Sequence, residues 1–160
     1  MRRRRRATVN AVPKRYLEAY IFKHDVTGRR IADALRRAAI RGVITHLLID
    51  GFGSVDLPQT IIDDLKAAGV MVLKFRPKTS PWTLRRRRLR RLHRKIVVID
   101  RKIAFVGGIN IVDDMGAANQ TSPRYDYAVS VEGPLVEAIH DSARHVWSRV
   151  AWSRMRDYWN

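Results

Sequence analysis

The segment His93–Asn110, "HRKIVVIDRKIAFVGGIN", sets a histidine, a lysine, an aspartate, a Gly-Gly pair and an asparagine at fixed offsets across two short apolar runs. On an extended chain, residues two apart project from the same face, so His93 and Lys95 emerge together and Arg94 on the other side. An imidazole beside an ammonium suits nucleophilic attack on a phosphodiester. The ring nitrogen attacks phosphorus while the ammonium offsets charge building on the phosphoryl oxygens. A neighbouring ammonium also disfavours an imidazolium, which keeps such a ring nucleophilic. Asn110 can donate its amide to another phosphoryl oxygen without titrating. Gly107 and Gly108 let the backbone approach a ligand or an opposing strand closely. Each piece alone has a plainer reading: a lone histidine at a strand start is usually structural or exposed, and Gly-Gly is usually a bend. Asp100 most often closes a turn or pairs with a basic neighbour. The joint order H-x-K, four residues, D, six residues, G-G-x-N is far more specific than any member.

These residues need elements to hold them. "YLEAYIFK" (16–23) has the aromatic and β-branched content of a strand. "TGRRIADALRRAAIRG" places Ile31, Ala34, Leu35, Ala38 and Ala39 on one helical face, with Thr27 as a candidate cap and Gly42 as a stop. "VITHLLID" (43–50) is a buried-type strand ending in the turn "GFGS", a weak signal that borders a cleft or simply turns the chain. A helix from Leu57 to Ala68, stopped by Gly69, and a strand "VMVLKF" (70–75) follow. "KIVVID" and "IAFVGG" read as a hairpin around Arg101-Lys102, "DYAVSVEG" (126–133) as a further strand, and the stretch from Pro134 as a long closing helix. Alternating strands and helices predict an α/β fold, a mostly parallel mixed sheet flanked by helices. Residues 1–15 read as a basic, disordered lead-in and 16–160 as a single domain.

The charge is the compositional anomaly. Thirty-two Lys+Arg against fifteen Asp+Glu give +17 in 160 residues, a field that attracts nucleic acid, anionic headgroups or phosphorylated substrates. No acidic residue stands between Lys66 and Lys95, and Arg85, Arg86, Arg87, Arg88, Arg90 and Arg91 crowd just ahead of His93. Such a run is commonly a solvated loop; here it also flows into a candidate phosphate site, where it is expected to contact an anionic surface. The absence of cysteine excludes disulfides and thiolate metal sites. Histidines 24, 46, 93, 140 and 145 show no ligand spacing, His140 and His145 being five apart, so no metal or other cofactor is expected. No apolar run reaches membrane-spanning length and the basic start lacks the apolar core of a signal peptide, so any membrane contact is expected to be peripheral.

The pattern at His93, Lys95, Asp100, Gly107, Gly108 and Asn110 resembles the HKD motif of the phospholipase D superfamily. "LEAYIF", "DVTGRRIADALRRAAIRGV", "LIDGFGS", "LHRKIVVIDRKIAFVGGINI" and "DYAVSVEGP" are similar to the first half of bacterial cardiolipin synthases, especially the B type, from about Leu17 onward. The resemblance implies a phospholipase D-like half-domain and ping-pong phosphatidyl transfer between phosphatidylglycerol molecules at the cytoplasmic membrane, through a phosphohistidine at His93. Lys95, Asn110 and Gly108 would bind phosphate. Asp126, otherwise readable as a surface acid, would hydrogen-bond the far imidazole nitrogen and fix its tautomer. Glu18 also matches a family position. Family enzymes carry two HKD motifs and this chain holds one, so the resemblance implies a homodimer or a complementary second half. It also implies a missing opening strand and helix ahead of "LEAYIF". A nucleic-acid phosphodiesterase of the same chemistry and a non-catalytic anion-binding module are the alternatives; the first would show cleavage with steeply salt-dependent binding.

Overall fold

A parallel pair needs a long crossover, and the two amphipathic helices of the first half supply it. A computed structural model, which describes residues 13–76, 91–113 and 125–159 with side chains through Arg156, shows the outcome. Strand β1 (Lys14–Ala19) leads to helix α1 (Val26–Ile40), then β2 (Ile44–Asp50), α2 (Gln59–Ala67) and β3 (Met71–Phe75). The hairpin β4 (Ile96–Ile99) and β5 (Ile103–Gly107), then β6 (Ala128–Glu132) and α3 (Leu135–Trp159), complete the described chain. Six strands form one sheet in the order β3-β2-β1-β4-β5-β6. β1, β2 and β3 pair in parallel, whereas β1–β4, β4–β5 and β5–β6 are antiparallel. The expected mixed α/β sheet is present, with its parallel part the smaller. Because β4 runs against β1, its entry lies at the end of the sheet where β1, β2 and β3 exit. The exit of β5 and the entry of β6 lie there too.

Strand alternation divides the core in two. Leu17, Ala19, Leu47 and Ile49 face α1 and α2, where they meet Leu35, Ile62 and Leu65. Tyr16, Ile96, Val98 and Ala104 face α3, where they meet Val136 and Ala143. Leu48, Leu92 and Val150 form a third cluster that ties the end of α3 to the residue before His93. β2 is buried on both faces, its Thr45, His46 and Asp50 as well as its apolar residues.

Several boundaries differ from the sequence reading for identifiable reasons. β1 begins at Lys14, so Lys14 and Arg15 of the basic lead-in pair with β2, and the extended run breaks after Ala19. Asp25, not Thr27, caps α1: its Oδ1 accepts from the Gly28 amide at 2.8 Å. α2 starts at Gln59, with Pro58 at the cap and Leu57 buried ahead of it. Gly42 and Gly69 do end their helices, both in the left-handed region (φ 83° and 93°). The hairpin turn takes Asp100 and Arg101 at positive φ, with the Lys102 amide bonded to the Ile99 carbonyl at 2.9 Å.

Candidate active site

The extended segment entering β4 delivers His93 and Lys95 to one side, as residue alternation requires. The Lys95 Nζ lies 3.4 Å from His93 Nδ1 and 5.4 Å from the centre of the Tyr20 ring. Tyr20, just past β1, sets its own ring 4.3 Å from the His93 imidazole. Arg94 leaves from the opposite side: its guanidinium reaches Ser142 of α3 at 3.1 Å and Glu18 of β1 at 2.8 Å. Glu18 is only 3% exposed. Burial pushes its carboxyl up to about 7, against the pull of Arg94. That ion pair keeps Arg94 on the α3 side and so directs its two neighbours outward.

Asn110 enters from the loop after β5. Its Oδ1 accepts from the Ile21 amide at 3.2 Å, and its NH2 makes no hydrogen bond among the described residues. The loop is stitched to the exit of β1 by Ile111 N to Ile21 O and Lys23 N to Ile111 O, both 3.0 Å. Two aspartates then bracket the start of α1. Asp113 accepts from the Val26 and Thr27 amides at 2.9 Å, while Asp25 Oδ2 accepts from the Asp113 amide at 2.8 Å. Hydrogen bonds from Thr27 and Val26 hold the Asp113 carboxyl below the usual carboxylate range.

The residue that organises this end of the sheet was missed in the sequence. Asp50, at the exit of β2 and fully buried, accepts from the Phe52 and Gly53 amides at 2.9 and 3.0 Å with one oxygen. The other oxygen accepts from the Leu92 amide at 2.7 Å. One carboxylate therefore folds the "GFG" turn and moors the residue before His93. Ser54 continues the turn, accepting from the Phe22 amide and donating to the Tyr20 carbonyl. Gly53 is required by contact: a Cβ there would fall 2.4 Å from the Tyr20 carbonyl oxygen. The only sequence signal was an aspartate closing a buried strand ahead of Gly-x-Gly.

The other expected site residues divide. Asp100 closes the hairpin turn at the opposite end of β4, about 16 Å of extended chain from Lys95. That placement fits its plainer reading as a turn residue. Gly108 does not offer its amide to a phosphate, because that N–H donates to the Tyr127 carbonyl at 2.8 Å. Gly107 serves the β5–β6 contact, where a Cβ would meet the Tyr127 oxygen at 2.2 Å. Asp126 stands beside Gly108, exposed, and makes no hydrogen bond to His93. Arg91 stacks its guanidinium 4.6 Å from the centre of the Phe52 ring. Arg85, Arg86, Arg87, Arg88 and Arg90 lie outside the described residues. Glu137, His140 and Asp141 bring ligand-type atoms together, but Arg101 reaches both Glu137 and His140 and supplies the positive charge there.

What distinguishes this fold is a histidine–lysine pair and an asparagine-bearing loop at the shared exit of the parallel strands. The family model described as "Cardiolipin synthase, PLD-like domain" matches residues 10–147. The chain belongs to that family. Cardiolipin synthase B of Escherichia coli K12 is 39% identical over 143 residues, covering 83% of this chain and 35% of that protein. Cardiolipin synthase B of Salmonella typhimurium LT2 is 43% identical over 133 residues, covering 83% and 32%. The chain thus spans about a third of the length of the curated relatives it matches. Among solved structures, Nuc, a phospholipase D family member from Salmonella typhimurium, superposes with a TM-score of 0.56 at 20% identity, covering 84% of this chain and 78% of that one. NucT from Helicobacter pylori gives 0.61 at 18%, covering 84% and 79%. These two likenesses establish the phospholipase D-like fold. Among the described residues, no helix is long and apolar enough to cross a membrane.

Proposed function

We propose that this chain is the His93-bearing half of a phosphatidyltransferase site acting on phosphatidylglycerol at an anionic membrane surface, and that a second HKD half completes it. The second half is another copy of the chain or a separate polypeptide. The observation that carries the reading is the His93–Lys95 pair, 3.4 Å apart beside the Asn110 loop, in a chain of the cardiolipin synthase family. In the first step a His93 ring nitrogen attacks phosphorus. An N–P bond forms, the P–O bond to glycerol breaks, and an acid from the other half protonates the departing alkoxide. In the second, the hydroxyl of another phosphatidylglycerol attacks phosphorus, the N–P bond breaks, and the hydroxyl proton returns to that group. Lys95 and the Asn110 NH2 stabilise the oxygens of the transition state. Catalytic hydrogen bonds often tighten only with substrate bound, so Asp126 keeps the role of orienting the ring.

Purified protein is incubated with phosphatidylglycerol vesicles, alone and with a separately supplied second half, and assayed for cardiolipin plus glycerol and for phosphate on His93. Product that disappears in His93→Ala supports the reading. An unmodified His93 under both conditions removes the enzyme assignment and leaves an anion-binding domain. The charge of +17 favours one competitor, a phosphodiesterase acting on nucleic acid. His93-dependent DNA cleavage without turnover of phosphatidylglycerol would replace the lipid reading with that one.

A further inference from the structure

A second concentration of positive charge lies along the β3 edge of the sheet. A cleft of about 340 Å³ opens there, lined by Gln59, Ile62, Lys66, Val72, Leu73, Lys74 and Arg154. Three cations and no acid line it, and its remaining walls are chiefly apolar, a composition suited to a phosphate attached to something greasy. The Arg154 guanidinium is fixed by donating to the Lys74 carbonyl at 3.0 Å, which uses one of its five N–H groups. Lys74 Nζ reaches Gln59 Oε1 at 3.4 Å. Gln59 opens α2, whose cap makes no side-chain hydrogen bond, so the positive end of that helix adds to the field. Partial burial, then Arg154 and Lys66, hold the Lys74 ammonium below the usual lysine range, with Asp63 pulling the other way. Like charges gathered in this way repel one another until an anion arrives.

The neighbouring surface of α3 suggests where that anion comes from. From Arg144 to Arg156 the helix carries four arginines and no acid. Trp147 and Val150 point inward, whereas Trp152 and Met155 are 73% and 57% exposed. Arg149 and Arg156 stand three before and four after Trp152, so they flank its ring on the helix surface. An exposed indole between guanidinium groups fits the boundary between headgroups and acyl chains.

We infer that the cleft between α2, β3 and the end of α3 binds the phosphate of an anionic phospholipid while Trp152 and Met155 rest in the bilayer interface. The site is separate from His93, since three strand spacings, about 14 Å, lie between β3 and β4. It holds the β3 edge of the sheet against the membrane. Only the choice of an anionic lipid rests on the function proposed above.

The test uses the full chain and vesicles of phosphatidylglycerol and phosphatidylcholine in a one-to-three ratio, with phosphatidylcholine alone as the reference and glycerol phosphate as a soluble headgroup. Lys66→Gln with Lys74→Gln should weaken binding to the charged vesicles about thirtyfold. Arg30→Gln with Lys102→Gln, which removes the same charge elsewhere, should cost much less; an equal loss overturns the site in favour of diffuse attraction. Trp152→Ser with Met155→Ser should weaken vesicle binding but leave glycerol phosphate binding intact. If the lysine pair affects only glycerol phosphate, or only a short oligonucleotide, the lipid assignment is wrong. If the Trp152 pair changes oligomeric state without lipid, the patch is an interface between copies and the proposal fails. Phosphate transfer to His93 from a soluble diester should be unchanged in all these variants. Its absence even in the wild type would sink the catalytic reading while leaving the cleft standing.

Discussion

Replacing Asp50 by asparagine tests whether one carboxylate organises the exit end of the sheet. Asp50 is fully buried and accepts three backbone N–H groups, at 2.9, 3.0 and 2.7 Å. Hydrogen bonds to a charged acceptor contribute about 1.5–3 kcal/mol each. Alanine would remove all three, a loss on the order of 6 kcal/mol that rivals the whole stability of an ordinary domain. Asparagine is more informative because it preserves shape but has one acceptor oxygen. If that oxygen keeps the Phe52 and Gly53 amides, its NH2 confronts the Leu92 amide, donor against donor; the reverse orientation strands the other two. Either way the expected destabilisation is about 2–4 kcal/mol. Urea unfolding gives the total, and amide hydrogen exchange assigns it. Protection of Leu92, or of Phe52 and Gly53 together, should fall more than that of β2 itself, and the proposed phosphate transfer to His93 should slow with it. A loss under about 0.5 kcal/mol with all three amides still protected would refute the mooring.

Four further substitutions separate other physical effects. Burial raises the Glu18 carboxyl from its ordinary 4.5 to about 7, so the native state binds an extra proton between those values. Its contribution to stability is fully present below about pH 4.5 and is lost as pH rises to 7, roughly 3 kcal/mol in all. Glu18→Gln should therefore gain on the wild type by about that amount between pH 4.5 and 8 in urea melts, whereas a pH-independent difference would contradict the shift. Gly107→Ala places a Cβ 2.2 Å from the Tyr127 oxygen and 2.5 Å from the Ala128 Cα, and should cost about 3 kcal/mol as β6 is pushed away. Gly42→Ala meets no atoms, so calorimetry should show only the smaller cost, about 1 kcal/mol, of its φ of 83°. Asp25→Ala removes the α1 cap and the acceptor for the Asp113 amide, with an expected loss of about 1–2 kcal/mol in the same melts.

Local pattern carried the sequence reading as far as local physics reaches. Alternation placed His93 and Lys95 together and Arg94 behind them, and glycines at positions 42 and 69 ended helices as expected. Asp50 was not legible because its decisive partner lies 42 residues away, and the Asp25–Asp113 bracket spans 88. Neither leaves a periodic trace. Asp100 belongs to the motif's lettering, and the hairpin carries it to the far end of β4. Trp147 and Trp152 are both tryptophans of one helix, but five residues' rotation puts one in the core and the other in solvent.

The bond from the Leu92 amide to Asp50 has a consequence for variation. It anchors the downstream end of the stretch that follows Arg76, while the Gly51 amide, bonded to the Phe75 carbonyl at 2.8 Å, anchors the upstream end through the same turn. Both flanks are thus held by one turn at the exit of β2, which sets where the chain re-enters ahead of the imidazole. Variation in that turn therefore reaches the exit of β3 and the approach to His93 at once.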